Sequence, residues 1–408
     1  MKNYAKVAAL LGLSAVTLSA SGFKIPEQSL NSTALSAAYV AGANGADASY
    51  YNPANMVWND NISEIEVAMT YINLTKIQYT DINPAFNAES KEEHFFVPTM
   101  HYVSPAFGDW RFGLSMIAPG GLSKRWDGAY QTLKAKEFSL QVIEINPNVA
   151  YKVNDKFAIG FGLRGLYSNG TIEVEDASGL SGTAYSNKME ADSIDFGYNL
   201  ALSYKPMDNL TLSTTYRSKV DLTVEGDAEG WIGHPIFGHI INTDVSTQVP
   251  LPATLALAAA YTMNKTMVEF VYERTYWSAY KDLEFKFPND AVSDGAFGAV
   301  SPKNWKDVNT YRLGVTHQYN DKLKLMAAFA IDKNPIPDST VAFELPDSDA
   351  KLYSVGLEYK MNDSMKIGLA YLYDQKESRT VMGGVGHPNG TFEDASAHLV
   401  TVSMKYKF

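Results

Sequence analysis

The feature that most constrains this chain is an alternation of apolar and polar residues that recurs, run after run, from beyond Trp58 to the last residue. In 156–173, Phe157, Ile159, Phe161, Leu163 and Tyr167 fall on one face, and Ala158, Gly160, Gly162, Arg164 and Ser168 on the other. Successive side chains of a strand point to opposite faces, so a period of two reads as β-structure. In 194–205, Ile194, Phe196, Tyr198, Leu200, Leu202 and Tyr204 alternate with Asp195, Gly197, Asn199, Ala201, Ser203 and Lys205. In 210–222, Leu210, Leu212, Tyr216, Val220 and Leu222 are set against Thr211, Ser213, Arg217, Lys219 and Asp221. Strands of soluble sandwiches also alternate, but they average about 5–6 residues. These runs reach the about 9–11 residues that a tilted strand needs to cross a bilayer.

Turn spacing narrows the architecture. Short polar turns stand at Phe107-Gly108-Asp109, Asn154-Asp155, Met207-Asp208-Asn209, Met263-Asn264-Lys265, Asn320-Asp321 and Asn362-Asp363. Each joins two patterned runs, as tight hairpins do. Long connections rich in Gly, Pro, Asp and Asn fall near 76–91, 119–136, 174–191, 225–244, 286–304, 333–349 and 376–395. Six short turns and seven long connections make about fourteen strands, with both termini on the short-turn side. The fold class expected is all-β: a transmembrane antiparallel β-barrel. Even strand number, short periplasmic turns and long outer loops are the marks of outer-membrane barrels. Closure also satisfies every backbone group, which lipid cannot do.

The first residues are of another kind. Lys2 and Lys6 precede an apolar run, 7–18, that is too short to span a bilayer, and Ser19-Ala20-Ser21 offers small residues for cleavage. We read 1–21 as a secretory signal peptide, with the mature chain beginning near Ser21 or Gly22. No run of eighteen apolar residues follows it. The segment 22–58 is rich in Ala, Gly and Ser, has a short helical pattern at Leu30, Ala34, Ala37 and Ala38, and then reaches Asn52-Pro53-Ala54. Small residues let backbones approach closely, so the segment reads as a plug inside a barrel; the alternative is an arm outside it. Asn52-Pro53 should form a tight turn, with the Asn side chain bonding nearby backbone. The division is 1–21 signal, 22–60 hatch and 61–408 barrel.

No catalytic constellation stands out. His234 and His239 share a loop with Asp227 and Glu229, but loop histidines are usually solvated, and no metal or cofactor is expected. Cysteine is absent, and a net charge of −11 argues against a nucleic-acid surface. Inward positions mix Arg164, Arg217, Asp195 and Asp221 with Gly, Ala and apolar residues, unlike the charged lumen of a general porin. Arg164 and Arg217 either line a selective path or pair with lumenal acids. The third run, 110–117, meets Ala118, Pro119, Gly120 and Gly121. Proline lacks the N–H a ladder needs, so pairing should fail there. Either the strand ends, or the barrel wall breaks and opens sideways. Trp231, Ile232, Ile236 and Phe237 put apolar side chains in an outer loop, as a ligand groove or as a loop mini-core.

Together these residues resemble the FadL/TodX family of outer-membrane transporters of hydrophobic compounds. The similarity covers nearly the whole mature chain. Gly22-Phe23 with Glu27 and Ser29 is similar to the family's mature start, and Asn52-Pro53-Ala54 to its hatch-closing motif. The stretch 97–103 followed by Pro105 resembles its second strand. Leu251-Pro252, Thr275-Tyr276-Trp277-Ser278, Trp305-Lys306-Asp307 through Tyr311-Arg312, Ile331-Asp332 through Pro335 and Pro337, and Leu345-Pro346-Asp347 resemble later blocks in order. The resemblance implies a fourteen-stranded barrel plugged by an N-terminal hatch. Ligand, a long-chain fatty acid or an aromatic hydrocarbon, would be caught among the outer loops. It would pass to a tighter site near the hatch and leave sideways at the third-strand kink, on which Ala118, Pro119, Gly120 and Gly121 fall. Basic groups at the tight site correspond by position to Lys303 or Lys306. A second falls on Asn169, with Arg164 nearby on the same run.

The expected function is passive uptake of a hydrophobic small molecule across the outer membrane of a Gram-negative cell, by a monomer. A plugged porin for polar solutes is the alternative, and an enzyme a third reading. The expected partners are that ligand, membrane lipid and lipopolysaccharide, and the barrel-insertion machinery, to which the terminal Phe408 is a class signal.

Overall fold

The computed structural model describes residues 22–383 and 387–408, so the expected signal segment, 1–21, lies outside the described residues. The alternating runs become strands β1 (Glu64–Leu74), β2 (Glu93–Val103), β3 (Trp110–Arg125), β4 (Glu137–Lys152), β5 (Phe157–Asp176) and β6 (Tyr185–Met207). Strand β7 is in two segments (Leu210–Arg217 and Val220–Ile232), and so is β8 (His239–Leu251 and Thr254–Met263). Then come β9 (Thr266–Thr275), β10 (Val308–Gln318), β11 (Leu323–Asp332), β12 (Ala350–Lys360), β13 (Met365–Lys376) and β14 (Ser396–Lys407). Each pairs antiparallel with its chain neighbours, and β14 returns to β1 from Glu64↔Lys407 to Leu74↔Ala397. The result is a closed fourteen-stranded barrel, in which every strand has a neighbour on each side. No helix among the described residues is long and apolar enough to cross a membrane.

The period of two decides what meets lipid. Phe161, Phe196, Tyr198 and Leu212 are exposed outward and Phe157 partly so, while Arg164 is buried on the inner face. At the rim by the short turns, Phe408 stacks with Tyr102 and Tyr406 at 6.4 and 6.1 Å, as in an aromatic girdle. In one stretch the expected faces are exchanged. β6 pairs with β7 up to Asn199↔Arg217 and again from Asp192↔Glu225, a shift of one residue. A one-residue shift turns every later side chain to the other face. Val220 and Leu222 are therefore buried rather than facing lipid with Leu212. Asp221, expected in the lumen, lies outside and pairs with Lys219 at 2.7 Å. The connections expected at 174–191 and 225–244 are largely strand, so β5 to β8 rise above the rest of the barrel.

The segment 22–58 packs against strands from all around the ring. Helix α1 (Leu30–Ala34) lies on β11 to β14, α2 (Ala48–Tyr51) on β2 and β3, and a 3-10 turn (Pro53–Trp58) on β3 to β6. Only the lumen offers all of these contacts at once. Ser29 caps α1 through a capping box with Ser32. The helical pattern expected to reach Ala38 stops at Ala34, because Ser36 and Ala37 turn into positive φ. Asn52 does bond backbone, donating to Val40 O at 2.9 Å, but the chain leaves through the 3-10 turn. The fit is close: a Cβ on Gly160 would stand 2.6 Å from Ala54 N, so only glycine permits that approach.

Carboxylates on the wall hold the segment in place. Glu269 accepts the amides of Val40, Ala41 and Gly42 at 2.7, 2.6 and 3.1 Å. Glu66 accepts Leu30 N at 3.3 Å, and Lys24 is ion-paired to Glu273. Hydrogen bonds to a charged group contribute about 1.5–3 kcal/mol each. In Glu269→Ala the amides of 40–42 should therefore exchange with solvent roughly tenfold faster or more, while amides of β9 keep their protection. Hydrogen exchange followed by mass spectrometry measures this.

Candidate functional site

The barrel wall is interrupted beside Pro119. β2 pairs with β1 along its whole length, but with β3 only from Met100↔Met116 to Val103↔Gly113. Beyond Met116 the seam between β2 and β3 carries no ladder. It closes again at the top, where Lys91 N donates to Arg125 O at 2.9 Å. Strand β3 does not end there. It stays paired with β4 through a register shift between Ile117 and Gly120, and every residue of 117–124 is buried. The strand steps inward and onto the lumenal segment. Ile25 N donates to Pro119 O and Gly121 N to Phe23 O, each at 2.9 Å. The Gln28 side chain donates to Ala118 O at 2.8 Å and accepts Ala118 N at 2.9 Å. Lipid cannot satisfy these groups, so the lumenal segment takes the place of the missing strand.

Two cavities lie behind this step. The outer one, of about 60 Å³, is apolar, with Phe23, Leu122, Phe138, Leu140, Tyr280 and Trp305 on its walls. Phe23 packs edge-on against Trp277 at 4.8 Å and lies 6.1 Å from Trp305. The inner one, of about 70 Å³, is mixed: Ile25, Val40 and Leu251 share its walls with Lys24, Arg164, Arg217 and Glu273, and it reaches Pro119 and Tyr50. Above both, the outer loops share an aromatic core in which Phe343 meets Tyr79 at 5.0 Å and Trp126 at 5.4 Å.

The residues named from sequence separate into groups. Gly22 and Phe23 sit at the outer cavity, whereas Asn52, Pro53 and Ala54 lie toward the short-turn end of the lumen. Lys303 borders the outer cavity and is paired with Glu344. Lys306 is exposed in a separate shallow outer pocket with Asn334 and Pro337. Arg164 borders the inner cavity, bound to Glu144 at 2.9 Å; Arg217 pairs with the same carboxylate and stacks on Tyr50 at 4.3 Å. Both arginines thus pair with a lumenal acid. Asn169 points outward, so its place in the pattern is not a place in either cavity. Trp231, Ile232, Ile236 and Phe237 are at the far tip of the β7–β8 hairpin, away from both cavities. Ile236 and Phe237 are 73% and 86% exposed, and Ile232 packs against a small cluster of Met189, Ala228, Ile241 and Phe287. His239 bonds Asp290 at 2.7 Å and His234 caps its own turn, so neither converges with Asp227 or Glu229. Sequence reasoning missed Glu144, Glu269, Gln28 and the buried lysine Lys124. Their only trace was inward parity, which a bulge can reverse.

At about 60 Å³ the outer cavity is well below the about 150 Å³ of an engineered apolar cavity that takes up benzene. A guest of that size must move side chains, and Phe23 is one of those on the cavity wall. Phe23→Ala should destabilise the local packing by about 3–5 kcal/mol, seen as faster exchange at 22–28 in hydrogen-exchange mass spectrometry. Asp347 gives a pH test. It accepts Gly22 N at 3.1 Å and pairs with Lys376, and burial lifts its pKa to about 6 against the pull of Lys376. Its raised pKa means the folded protein holds this proton more tightly than the unfolded chain. The stability it contributes is full below about pH 4 and is lost as pH rises through about 6. Relative to Asp347→Asn, the native protein should lose stability between pH 4 and 6 in denaturant titrations.

Comparison with known proteins agrees with this geometry. Residues 11–408 match the model of the family described as outer membrane protein transport protein (OMPP1/FadL/TodX). A long-chain fatty acid transport protein of Escherichia coli O6:H1 is 23% identical over 362 residues, which cover 79% of each chain. A FadL homologue of Pseudomonas aeruginosa has the same fold at TM-score 0.83 and 18% identity, over 95% of this chain and 100% of that one. The P. putida toluene transporter TodX superposes at TM-score 0.74 and 19% identity, over 93% and 98%. The chain belongs to the OMPP1/FadL/TodX family of transport proteins of the outer membrane.

Proposed function

We propose that this protein carries a hydrophobic small molecule passively from its outer loops, through the apolar cavity above the hatch, and sideways out of the seam between β2 and β3. The observation that carries the reading is the seam itself. On its β3 side the backbone groups of 118–121 bond the lumenal segment instead of a neighbouring strand, so that edge turns its polar groups away from lipid. Leu122 belongs both to the inward step and to the apolar cavity, so the cavity and the seam share a wall. Lipopolysaccharide resists apolar solutes, and this path bypasses it. A hydrophobic guest would be held mainly by burial, worth about 25 cal/mol per Å² of apolar surface. Long-chain fatty acid and toluene, the cargoes in the names of the relatives, are the two ligand classes to test. The plugged-porin reading is weaker, because the lumen is filled by a segment latched to several strands.

Gly120→Arg tests the route. A Cβ at this position stands 3.2 Å from Leu251 Cδ1 and from Phe23 O, so a long charged side chain has to enter the lumen behind the seam, between the two cavities. The barrel should still assemble, shown by its heat-modifiable migration. Uptake of toluene or oleate by cells should fall roughly tenfold or more, the effect of putting a charge in an apolar path. Unchanged uptake by a correctly folded variant would send the ligand elsewhere, most simply past the hatch into the periplasm.

A further inference from the structure

Inside the wall, the buried cations are matched. Lys24, Arg164, Lys303, Arg312, Lys376 and Lys405 each have a carboxylate within 4.0 Å. Arg111 is held by backbone carbonyls, including Met56 O at 2.8 Å. Lys124 is different. It is 1% exposed, and its ammonium has no hydrogen-bond partner among the described residues. Glu93, across the seam on β2, is the acid whose field it feels most. Yet one oxygen of Glu93 is engaged by Ser123 and Arg125, and the other has no partner. A buried ammonium with no hydrogen-bonded carboxylate is costly, so the site has room for a further anionic partner.

Its position suggests what completes it. The register shift at Ile117/Gly120 turns Leu122 and Lys124 to the lumenal face, and Lys124 stands in register with Phe138. Leu122 and Phe138 both line the apolar cavity. Strand β3 rises from the short turn at Gly108, so Lys124 marks the upper, outer end of the seam. Below it the seam is flanked by buried Phe95 and Val97 on β2 and by Ile117 and Leu122 on β3. The arrangement is one positive charge above an apolar slot. A molecule leaving into the outer leaflet with its polar end at the interface and its chain pointing down would match it group for group. The neighbouring Glu93 disfavours a second negative charge, which argues for a monoanion and against a phosphate dianion.

We propose that Lys124 is the head-group site of the lateral exit, binding the carboxylate of a monoanionic amphiphile such as a long-chain fatty acid. The site is distinct from the cations placed by family resemblance. Arg164 and Lys303 already have carboxylates, and Lys306 lies in another pocket. The inference rests on the transport reading above, and adds that the exit selects for charge.

The test uses the full-length protein in cells, with oleate and toluene as probes, and heat-modifiable migration to confirm folding. Lys124→Met should lower oleate uptake about tenfold, the loss expected for one charge-assisted hydrogen bond, and leave toluene uptake unchanged. Lys124→Arg should keep oleate uptake, and Glu93→Gln should not lower it. Four results would overturn the proposal: oleate uptake unaffected by Lys124→Met, equal loss of both probes, equal loss of oleate in Glu93→Gln, or native protein that carries toluene but not oleate. The equal-loss results would make Lys124 a structural partner of Glu93. If the native protein carries neither probe, the transport reading itself falls, and that result is read before any variant is compared. If Lys124→Met misfolds, oleate and toluene binding to purified Lys124→Gln replaces it, with the same charge-selective loss required.

Discussion

Lipid offers no hydrogen bonds to a peptide backbone, and this single constraint organises the molecule. It closes fourteen strands into a ring, and it sets the terms on which the ring can be broken. At Pro119 a strand gives up its neighbour, yet Ala118, Pro119 and Gly121 all keep partners, because Phe23, Ile25 and Gln28 lie against them. The lumenal segment is therefore part of the wall as well as a plug. The segment and the seam share these bonds, which ties the cavity at Phe23 to the gap in the wall beside Gly120.

The same segment shows how a polar lumen can hold a flexible chain. Its residues are small and its helices are of one turn or so, and little of its stability can come from local propensity. What fixes it is a set of buried carboxylates aimed at backbone amides, with Glu269 cradling three in succession. Arg164 and Arg217 share Glu144 nearby, so most lumenal charge serves to hold the structure together. Against that background, the Lys124 ammonium, with no hydrogen-bond partner among the described residues, is an exception with a location, at the upper end of the β2–β3 seam.

Legibility from sequence followed the range of each interaction. Lipid and water sort side chains residue by residue, so the runs at 156–173 and 194–205 carried their faces openly. Short turns demand Asn, Asp and Gly, so strand number was readable as well. The irregularity at Pro119 was visible as a proline, whereas the one after Arg217 was read straight through as continuous alternation. What they did to the residues beyond them was not visible: Val220, Leu222 and Asp221 exchanged faces because one added residue shifts a register against a partner strand. Asn169, placed by family position, faces outward by the unbroken alternation of β5, on which Arg164 and Ser168 face in.

By itself, the sequence determined a barrel of outer-membrane type, its lipid-facing sides, its short-turn and long-loop ends, a small-residue segment able to enter the lumen, and the place where pairing would fail. Each of these is set by neighbours a few residues apart. Only the tertiary structure decided that the strand at Pro119 continues inward instead of ending, and that its freed groups bond residues 23–28. It also decided that Glu144, Glu269 and Asp347 are latches, that Lys303 and Lys306 occupy different pockets, and that Lys124 stands unpaired. Those facts depend on which side chains meet across the ring, at separations of tens to hundreds of residues. Closure of the barrel fixes such meetings, and no local pattern records them.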